Sequence, residues 1–142
     1  MIPYFVMIGV GTSTTYYRTY DTDNHTLYCK NQNDRFTAND ESIGNGDLTY
    51  PIGLLTTDEA FLAGGYDSSN ATYYLYTGNY YWTMSPFYFN SSESAARVWY
   101  VYGAGGLRNN YVTYSYGVRP VINLKSGSLS KGSGTADDPY MI

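Results

Sequence analysis

The sequence has one cysteine, one histidine and few charges. Cys29 cannot form an intrachain disulfide, and a thiolate metal site cannot be assembled around it. His25 has no nucleophile-elbow motif near it, so it is interpreted as a surface-loop residue and not as part of a catalytic triad. Charged residues make up 14% of the chain, the net charge is −4, and the 8 Lys and Arg form no cluster. Nucleic acid is therefore not an expected partner.

The sequence also has no long hydrophobic run. Residues 1–10 are apolar but too short to span a bilayer, and no basic segment precedes them. They predict a buried first strand, and no membrane insertion is expected. If the protein is exported, we expect its signal or anchor to lie outside this chain. The stretch from Asp21 to Asn24 is similar to the start of a calcium loop but lacks the downstream glycine and glutamate, so an ordinary turn is predicted, with no metal and no cofactor.

What the sequence does contain is tyrosine. Aromatic residues reach 18%, through 19 tyrosines, and 15 glycines supply many turns. Tyrosine, threonine and valine favour strands, so the composition predicts a β-dominated α+β fold. The length of 142 residues fits one domain, and no internal repeat or linker divides it. We expect a single domain over residues 1–142.

One short helix is predicted near residues 57–63. Thr56, followed three residues later by Glu59, has the pattern of a capping box, and Asp58 adds a favourable negative charge in the first turn. Gly64 and Gly65 provide the stop signal. This helix is expected to be structural.

The second half of the chain predicts a small antiparallel sheet. YWTMSP, residues 81–86, reads as a central strand ended by its proline. In ARVWYVY, residues 96–102, the even positions face one way and Arg97, Trp99 and Val101 the other. Residues 103–106 predict a hairpin turn. Further strands are expected at residues 112–116 and in GVRPVINL, residues 117–124.

Tyrosines are concentrated in this half: twelve lie between Tyr66 and Tyr116. About half must fill a small core, and Tyr73 and Trp82 are expected to be mostly buried. The remainder surround the glycine-rich turn, interleaved with asparagine, serine, threonine and arginine. Tyrosine offers a large contact area at low entropic cost, and Asn and Ser supply adaptable hydrogen bonds. The pattern therefore predicts a binding surface.

The order YWTMSP, ARVWYV, a short glycine-containing stretch and then GVRPVINL resembles the C-terminal part of C-type-lectin-fold variable proteins. These belong to diversity-generating retroelements, in the branch that is similar to formylglycine-generating enzymes. In that family a Trp-containing strand and a closing G-x-R-P/G-V strand form a fixed scaffold, and the residues between them are rewritten by adenine-directed mutagenesis. The scaffold positions matched here are Trp82, Ser85, Gly117, Arg119 and Val121. The resemblance implies a C-type-lectin-like fold.

The same resemblance implies which residues vary and bind ligand. They are Tyr100, Tyr102, Ala104, Arg108, Asn109, Asn110, Tyr111, Thr113, Tyr114 and Tyr116. The single cysteine departs from the catalytic pair of the enzyme relatives, so their oxidase activity is not carried over. The EPN or QPD and WND triplets of calcium-dependent lectins are also missing, which argues against sugar binding through calcium.

The function expected from residues and resemblance together is ligand binding without catalysis, as in a receptor-binding or adhesion domain. The partner would be a protein or glycan on another cell or particle, and the domain would be displayed on a bacterial cell surface or a phage particle. YPIGLLTTDEAFLAGG and GTADDPYMI are also similar to modules of Gram-positive surface proteins. The alternative is an invariant adhesin or pilus-tip module that binds glycan through stacked tyrosines. A third reading is a formylglycine-generating-type enzyme, which would require copper or calcium and turnover that depends on Cys29.

Overall fold

The structure of the chain is a computed structural model. The structure describes residues 27, 42, 47–50, 52–66, 68–90, 95–122, 124 and 127–141, without the side chains of 88–90. The predicted first strand, the turn at Asp21 and the residues His25 and Cys29 lie outside these ranges. The elements in chain order are β1 (Ile52–Leu54), α1 (Thr57–Leu62), β2 (Tyr81–Asn90), β3 (Ala95–Val101), β4 (Leu107–Tyr111) and β5 (Pro120–Ile122). The described part of the chain thus has two small antiparallel sheets and one short helix, which confirms the β-dominated prediction.

The helix forms where local chemistry predicts it. The Glu59 backbone N–H donates to Thr56 Oγ1 at 3.1 Å, and the Thr56 N–H donates to Glu59 Oε2 at 2.7 Å, which completes the capping box. At the other end, Gly64 adopts a φ of 116°, and its N–H donates to the Phe61 carbonyl while the Gly65 N–H donates to that of Ala60. This pair of bonds is a Schellman motif, and it requires a left-handed residue at Gly64.

The larger sheet has the order β2-β3-β4, and it packs one face against the helix. Its buried cluster consists of Tyr81, Trp99, Val101 and Leu107 together with Ala60 from the helix. Trp99 is fully buried, and Phe87 meets it edge to face at 5.1 Å between ring centres. The predicted alternation of β3 is therefore confirmed where Trp99 and Val101 enter the core.

Strand β2 departs from the prediction in two respects. It runs past Pro86 to Asn90, and among the described strands it lies at the edge of its sheet, not in the centre. On its other side the described residues make only single bonds, from the Trp82 N–H to Gly117 and from the Met84 N–H to Leu55. The edge position explains why the strand continues through Pro86. An edge strand does not need every backbone N–H, so it tolerates proline at an irregular position. The pairing with β3 is accordingly irregular on both sides of Pro86.

The smaller sheet pairs β1 with β5, with Ile52 opposite Ile122. It is joined to the larger sheet through Gly117, whose carbonyl accepts from the Trp82 N–H at 3.0 Å and whose N–H donates to Tyr80 at 2.9 Å. The strand predicted over residues 117–124 is thus shorter than expected. Its first residues serve instead as the bridge between the two sheets.

The last strand of the larger sheet lies earlier than predicted. Residues 107–111 form β4, whereas residues 112–116, the expected strand, form a turn and an extended exit. Residues 107–111 pair with all of 97–101, from Leu107 opposite Val101 to Tyr111 opposite Arg97. The short turn after β3 fixes this register, in which β4 ends at Tyr111. The Val112 N–H still donates to the Ala96 carbonyl at 3.0 Å, and the chain then turns away from β3.

Candidate functional site

Alternation along the three strands divides the larger sheet into two faces. Trp99 and Val101 point towards the helix, so their neighbour Tyr100 points to the outer face. Tyr100 is opposite Trp82 on one side and Arg108 on the other, and directly opposed residues share a face. The outer face is therefore built from Trp82, Tyr100 and Arg108 at its centre.

Aromatic rings cover this outer face and contact one another. We refer to them as the tyrosine cluster: Tyr80, Trp82, Tyr100, Tyr102, Tyr114 and Tyr116. Tyr116 is at the centre, with its ring 4.6 Å from that of Trp82, 4.7 Å from Tyr100 and 5.2 Å from Tyr80. Tyr80 and Tyr100 are stacked at 5.9 Å with an interplanar angle of 19°. Such offset and tilted pairs contribute roughly 0.5–1.5 kcal/mol each beyond area burial.

Exposure increases from the base of the cluster to its rim. Tyr100 is only 9% exposed, whereas Tyr80 is 47% and Tyr114 53% exposed. Burial raises the pKa of the Tyr100 hydroxyl to about 12, with a further contribution from Tyr116 and opposition from Arg108. Tyr100 was predicted to be displayed to ligand. The structure shows that it supports the exposed rings from beneath.

Polar groups border the rings. Asn110 donates from Nδ2 to the Tyr116 hydroxyl at 2.8 Å, and the hydroxyls of Tyr102 and Ser69 are hydrogen-bonded. The Arg108 guanidinium lies 5.1 Å from the centre of the Tyr102 ring, and its NH1 donates to the Leu107 carbonyl at 2.8 Å. The cluster therefore combines aromatic faces, hydroxyls, an amide and one cation.

The turn between β3 and β4 is fixed by the loop that precedes β2. Asn70 donates its N–H to the Ala104 carbonyl at 3.0 Å, and the buried Tyr73 donates its hydroxyl to Gly105 at 2.9 Å. Burial raises the pKa of Tyr73. Gly105 has a φ of 87°, and a Cβ there would overlap the Asn70 carbonyl oxygen. The predicted burial of Tyr73 is confirmed, and the turn at one border of the cluster is held rigidly.

Not all predicted site residues lie on this face. Asn109 and Tyr111 point to the opposite face, where Arg97 donates to Asn109 Oδ1 at 3.2 Å and to the Tyr111 hydroxyl at 2.8 Å. The Arg97 guanidinium also lies 4.2 Å from the centre of the Tyr111 ring. Strand alternation separates these residues from the cluster. Ala104 lies in the turn before β4, and Thr113 is exposed in the turn after it.

Two members of the cluster were missed by sequence reasoning. Tyr80 was not selected, and Trp82 was expected in the core, although it is only half-buried and lies among the tyrosines. Tyr80 immediately precedes β2 and Trp82 is its second residue. Residues two apart in an extended chain point to the same side, so both rings lie on the outer face. This spacing of two was the signal in the sequence that could have assigned Tyr80 and Trp82 to the same face.

The other matched scaffold positions make interior contacts. Ser85 Oγ accepts from the Thr57 N–H at 3.0 Å and so joins the helix start to β2. Arg119 donates to the Leu75 carbonyl at 2.6 Å, and Val121 pairs with Gly53 in the smaller sheet. With Gly117 between the sheets, these residues hold the frame beneath the cluster.

Comparison with known proteins identifies a family. Residues 13–126 match the domain of unknown function DUF6273, and the chain belongs to this family. No curated protein and no solved structure shows a significant match. Within the described ranges, no helix is long and apolar enough to cross a membrane.

Proposed function

We propose that this chain is a ligand-binding domain of C-type-lectin-like fold that acts without catalysis, through the tyrosine cluster. One observation carries the proposal: aromatic rings of graded exposure are gathered on one sheet face, with Arg108 and Asn110 at their border. Tyrosine and arginine are enriched at binding hot spots, because they combine large contact area with directed hydrogen bonds. The ligand is a protein or glycan on another cell or particle.

The proposed fold rests on the sequence pattern and on the arrangement of the elements. A short helix packs on an antiparallel sheet, and the G-x-R-P-V strand closes the frame next to the Trp-containing strand. Display on a bacterial cell surface or a phage particle is part of the same proposal and follows from the resemblance to retroelement variable proteins.

Burial divides the positions proposed to vary. Arg108, Thr113 and Tyr114 are exposed, so the fold can accept other side chains there. Tyr100 is buried beneath three other rings of the cluster, and truncating it would remove their support. Retroelement diversification is therefore proposed for the exposed positions, with Tyr100 as part of the scaffold.

The packing at Tyr100 also favours a second candidate, an invariant adhesin that binds glycan through a fixed aromatic surface. The rings at the base of this surface are buried and stacked on one another, so most substitutions there would disturb their packing. Such a surface suits a fixed ligand that needs no variation in sequence. Both candidates use the same face. They differ in whether its exposed positions change between related chains.

The binding role can be tested with two probe sets: a glycan microarray, and intact cells of Gram-positive and Gram-negative bacteria. We expect the domain to bind members of at least one set. Tyr80→Ala combined with Tyr114→Ala should abolish binding, while Tyr74→Ala should not, because Tyr74 is 81% exposed and lies outside the cluster. Binding that survives the double variant, or no binding to either set, would contradict the proposal.

A further inference from the structure

The spacing of the rings restricts what the tyrosine cluster can bind. A group inserted between two parallel rings needs their planes about 7 Å apart, twice the contact distance of carbon atoms. The Tyr116 ring centre is only 4.6 to 5.2 Å from those of Trp82, Tyr100 and Tyr80, and 6.1 Å from that of Tyr114, so these rings are packed against Tyr116. Anchor side chains at protein–protein interfaces fill pockets. The ring spacing instead offers a platform on which a flat ligand can lie.

The exposed ring of Tyr80 suits the face of a sugar. Aromatic faces carry partial negative charge, and they attract the weakly positive axial C–H groups on one side of a pyranose ring. Tyr80 is stacked over Tyr100, so its ring is already oriented before a ligand arrives. The sugar hydroxyls would meet the donors and acceptors at the border, such as the Asn110 amide and the Tyr116 hydroxyl.

The charge at the border restricts the ligand further. The Arg108 guanidinium and the Tyr80 ring both contact Tyr102, at 5.1 and 6.5 Å from its ring centre. Arg108 is exposed, has several N–H donors and is the one charged side chain among the cluster and bordering residues described above. A guanidinium pairs best with a planar carboxylate, through short charge-assisted hydrogen bonds. A polyanion such as nucleic acid is disfavoured by the net charge of −4.

We infer that the tyrosine cluster binds a pyranose that carries a carboxylate, the chemistry shared by hexuronic and sialic acids. The sugar ring stacks on Tyr80, and its carboxylate pairs with Arg108 across Tyr102. The inference rests on the proposed binding function and names the ligand class of that same site. Tyr80 is a general affinity residue, and Arg108 selects acidic over neutral sugars.

The test uses amide NMR titration of the full chain with three probes: a methyl glucuronide, a methyl sialoside and the neutral methyl glucoside. We expect at least one acidic sugar to bind with a Kd roughly tenfold or more below that of the glucoside. A charge-assisted hydrogen bond to Arg108 contributes a difference of this size. Comparison of the glucuronide with the sialoside shows which of the two acidic sugars the site prefers. Arg108→Gln should bring the acidic sugars to the level of the glucoside, and Arg108→Lys should restore part of the difference.

Tyr80→Ala should weaken acidic and neutral sugars alike, and Tyr74→Ala should weaken neither. Retained near-ultraviolet dichroism would show that each variant is folded. Equal affinity for acidic and neutral sugars, a preference for the glucoside, or a preference for acidic sugars that survives Arg108→Gln would overturn the inference. So would Arg108-dependent binding of a thymidine oligonucleotide in place of the sugars.

The two proposals can fail separately. If cells or arrayed glycans bind in a Tyr80- and Tyr114-dependent manner but neither acidic sugar competes, the acidic-sugar inference is wrong and the binding function stands. If no cell, array glycan or sugar binds, both are wrong.

Discussion

Arg119 and Tyr81 share one hydrogen-bond acceptor, the carbonyl oxygen of Leu75. The Arg119 guanidinium lies 4.8 Å from the centre of the Tyr81 ring, and both side chains donate to the Leu75 oxygen, at 2.6 and 3.1 Å. Tyr81 begins β2 and Arg119 precedes β5, so the pair ties the loop before β2 to both sheets. This single carbonyl connects parts of the chain that are far apart in sequence.

Replacement of Arg119 by lysine should therefore destabilise the fold although the charge is kept. A lysine ammonium does not reproduce a planar group that stacks on a ring and donates at its edge. We expect a loss of about 1–2 kcal/mol in urea unfolding. Arg108→Lys is the matched control and should change stability by less than about 0.5 kcal/mol, because Arg108 is exposed. Equal effects of both variants would show that the stacked geometry does not matter.

The two tryptophans should respond differently to truncation. Trp99→Ala is expected to cost about 3–5 kcal/mol, since it empties the centre of the core. Trp82→Ala should cost less, because its ring is half-buried and belongs to the outer face. Denaturant midpoints of the two variants provide the comparison. A larger loss for Trp82 would mean that the outer face, and not the helix-facing core, dominates stability.

Gly105→Ala tests the close approach of two loops. Its Cβ would overlap the Asn70 oxygen, and its φ of 87° is strained for any other residue. Gly127 has a similar φ of 81°, but no atom of the described residues lies within 4 Å of its Cβ, so Gly127→Ala serves as the measure of backbone strain. We expect roughly 1–2 kcal/mol for Gly127→Ala and clearly more for Gly105→Ala. Identical melting temperatures of the two variants would contradict the close packing.

Alkaline pH should reveal the burial of Tyr100. The unfolded hydroxyl has a pKa near 10, and burial raises it to about 12 in the folded chain. The folded state then holds a proton that the unfolded state has lost, so stability falls as pH rises from about 10 through about 12. Tyr100→Phe removes this term. Unfolding followed by urea between pH 9 and 11.5 should show a shallower decline for Tyr100→Phe than for the native chain; parallel declines would refute the assignment.

Retroelement diversification makes a prediction at the DNA level. A near-copy of the segment encoding residues 80–117 should lie close to a reverse transcriptase gene, with mismatches at adenines of the copy. They should fall at the codons of Arg108, Thr113 and Tyr114 and spare those of Trp99 and Tyr100, because only exposed side chains can change without loss of packing. A complete genome without such a copy would leave the invariant adhesin as the proposal.

Local chemistry made some of the fold predictable. The helix follows from Thr56 and Glu59, whose side chains bond within one turn, and from Gly64, which ends it. The alternation of β3 was visible because Trp99 and Val101 are spaced by two. These signals lie within a few residues of one another, so the sequence displays them directly.

Tertiary contacts decided the rest. Asparagine-rich residues 107–111 are poor strand formers, and residues 112–116 are better ones, yet pairing with β3 selects the former. Strand alternation separates Trp82 from Trp99, but it does not say which face the helix will cover. For the same reason Tyr100 was predicted on the display surface. It is on the correct face, but other rings lie over it.

The bonds from Asn70 and Tyr73 to the turn before β4 have a consequence for how the surface can evolve. They hold the turn at a fixed position relative to the loop that precedes β2. A residue added to or removed from the turn would therefore move the carbonyl acceptors of both bonds. Antibody-like repertoires change the lengths of their loops as well as their composition. In this domain a new specificity would have to arise on a backbone of constant length, through exchange of side chains alone.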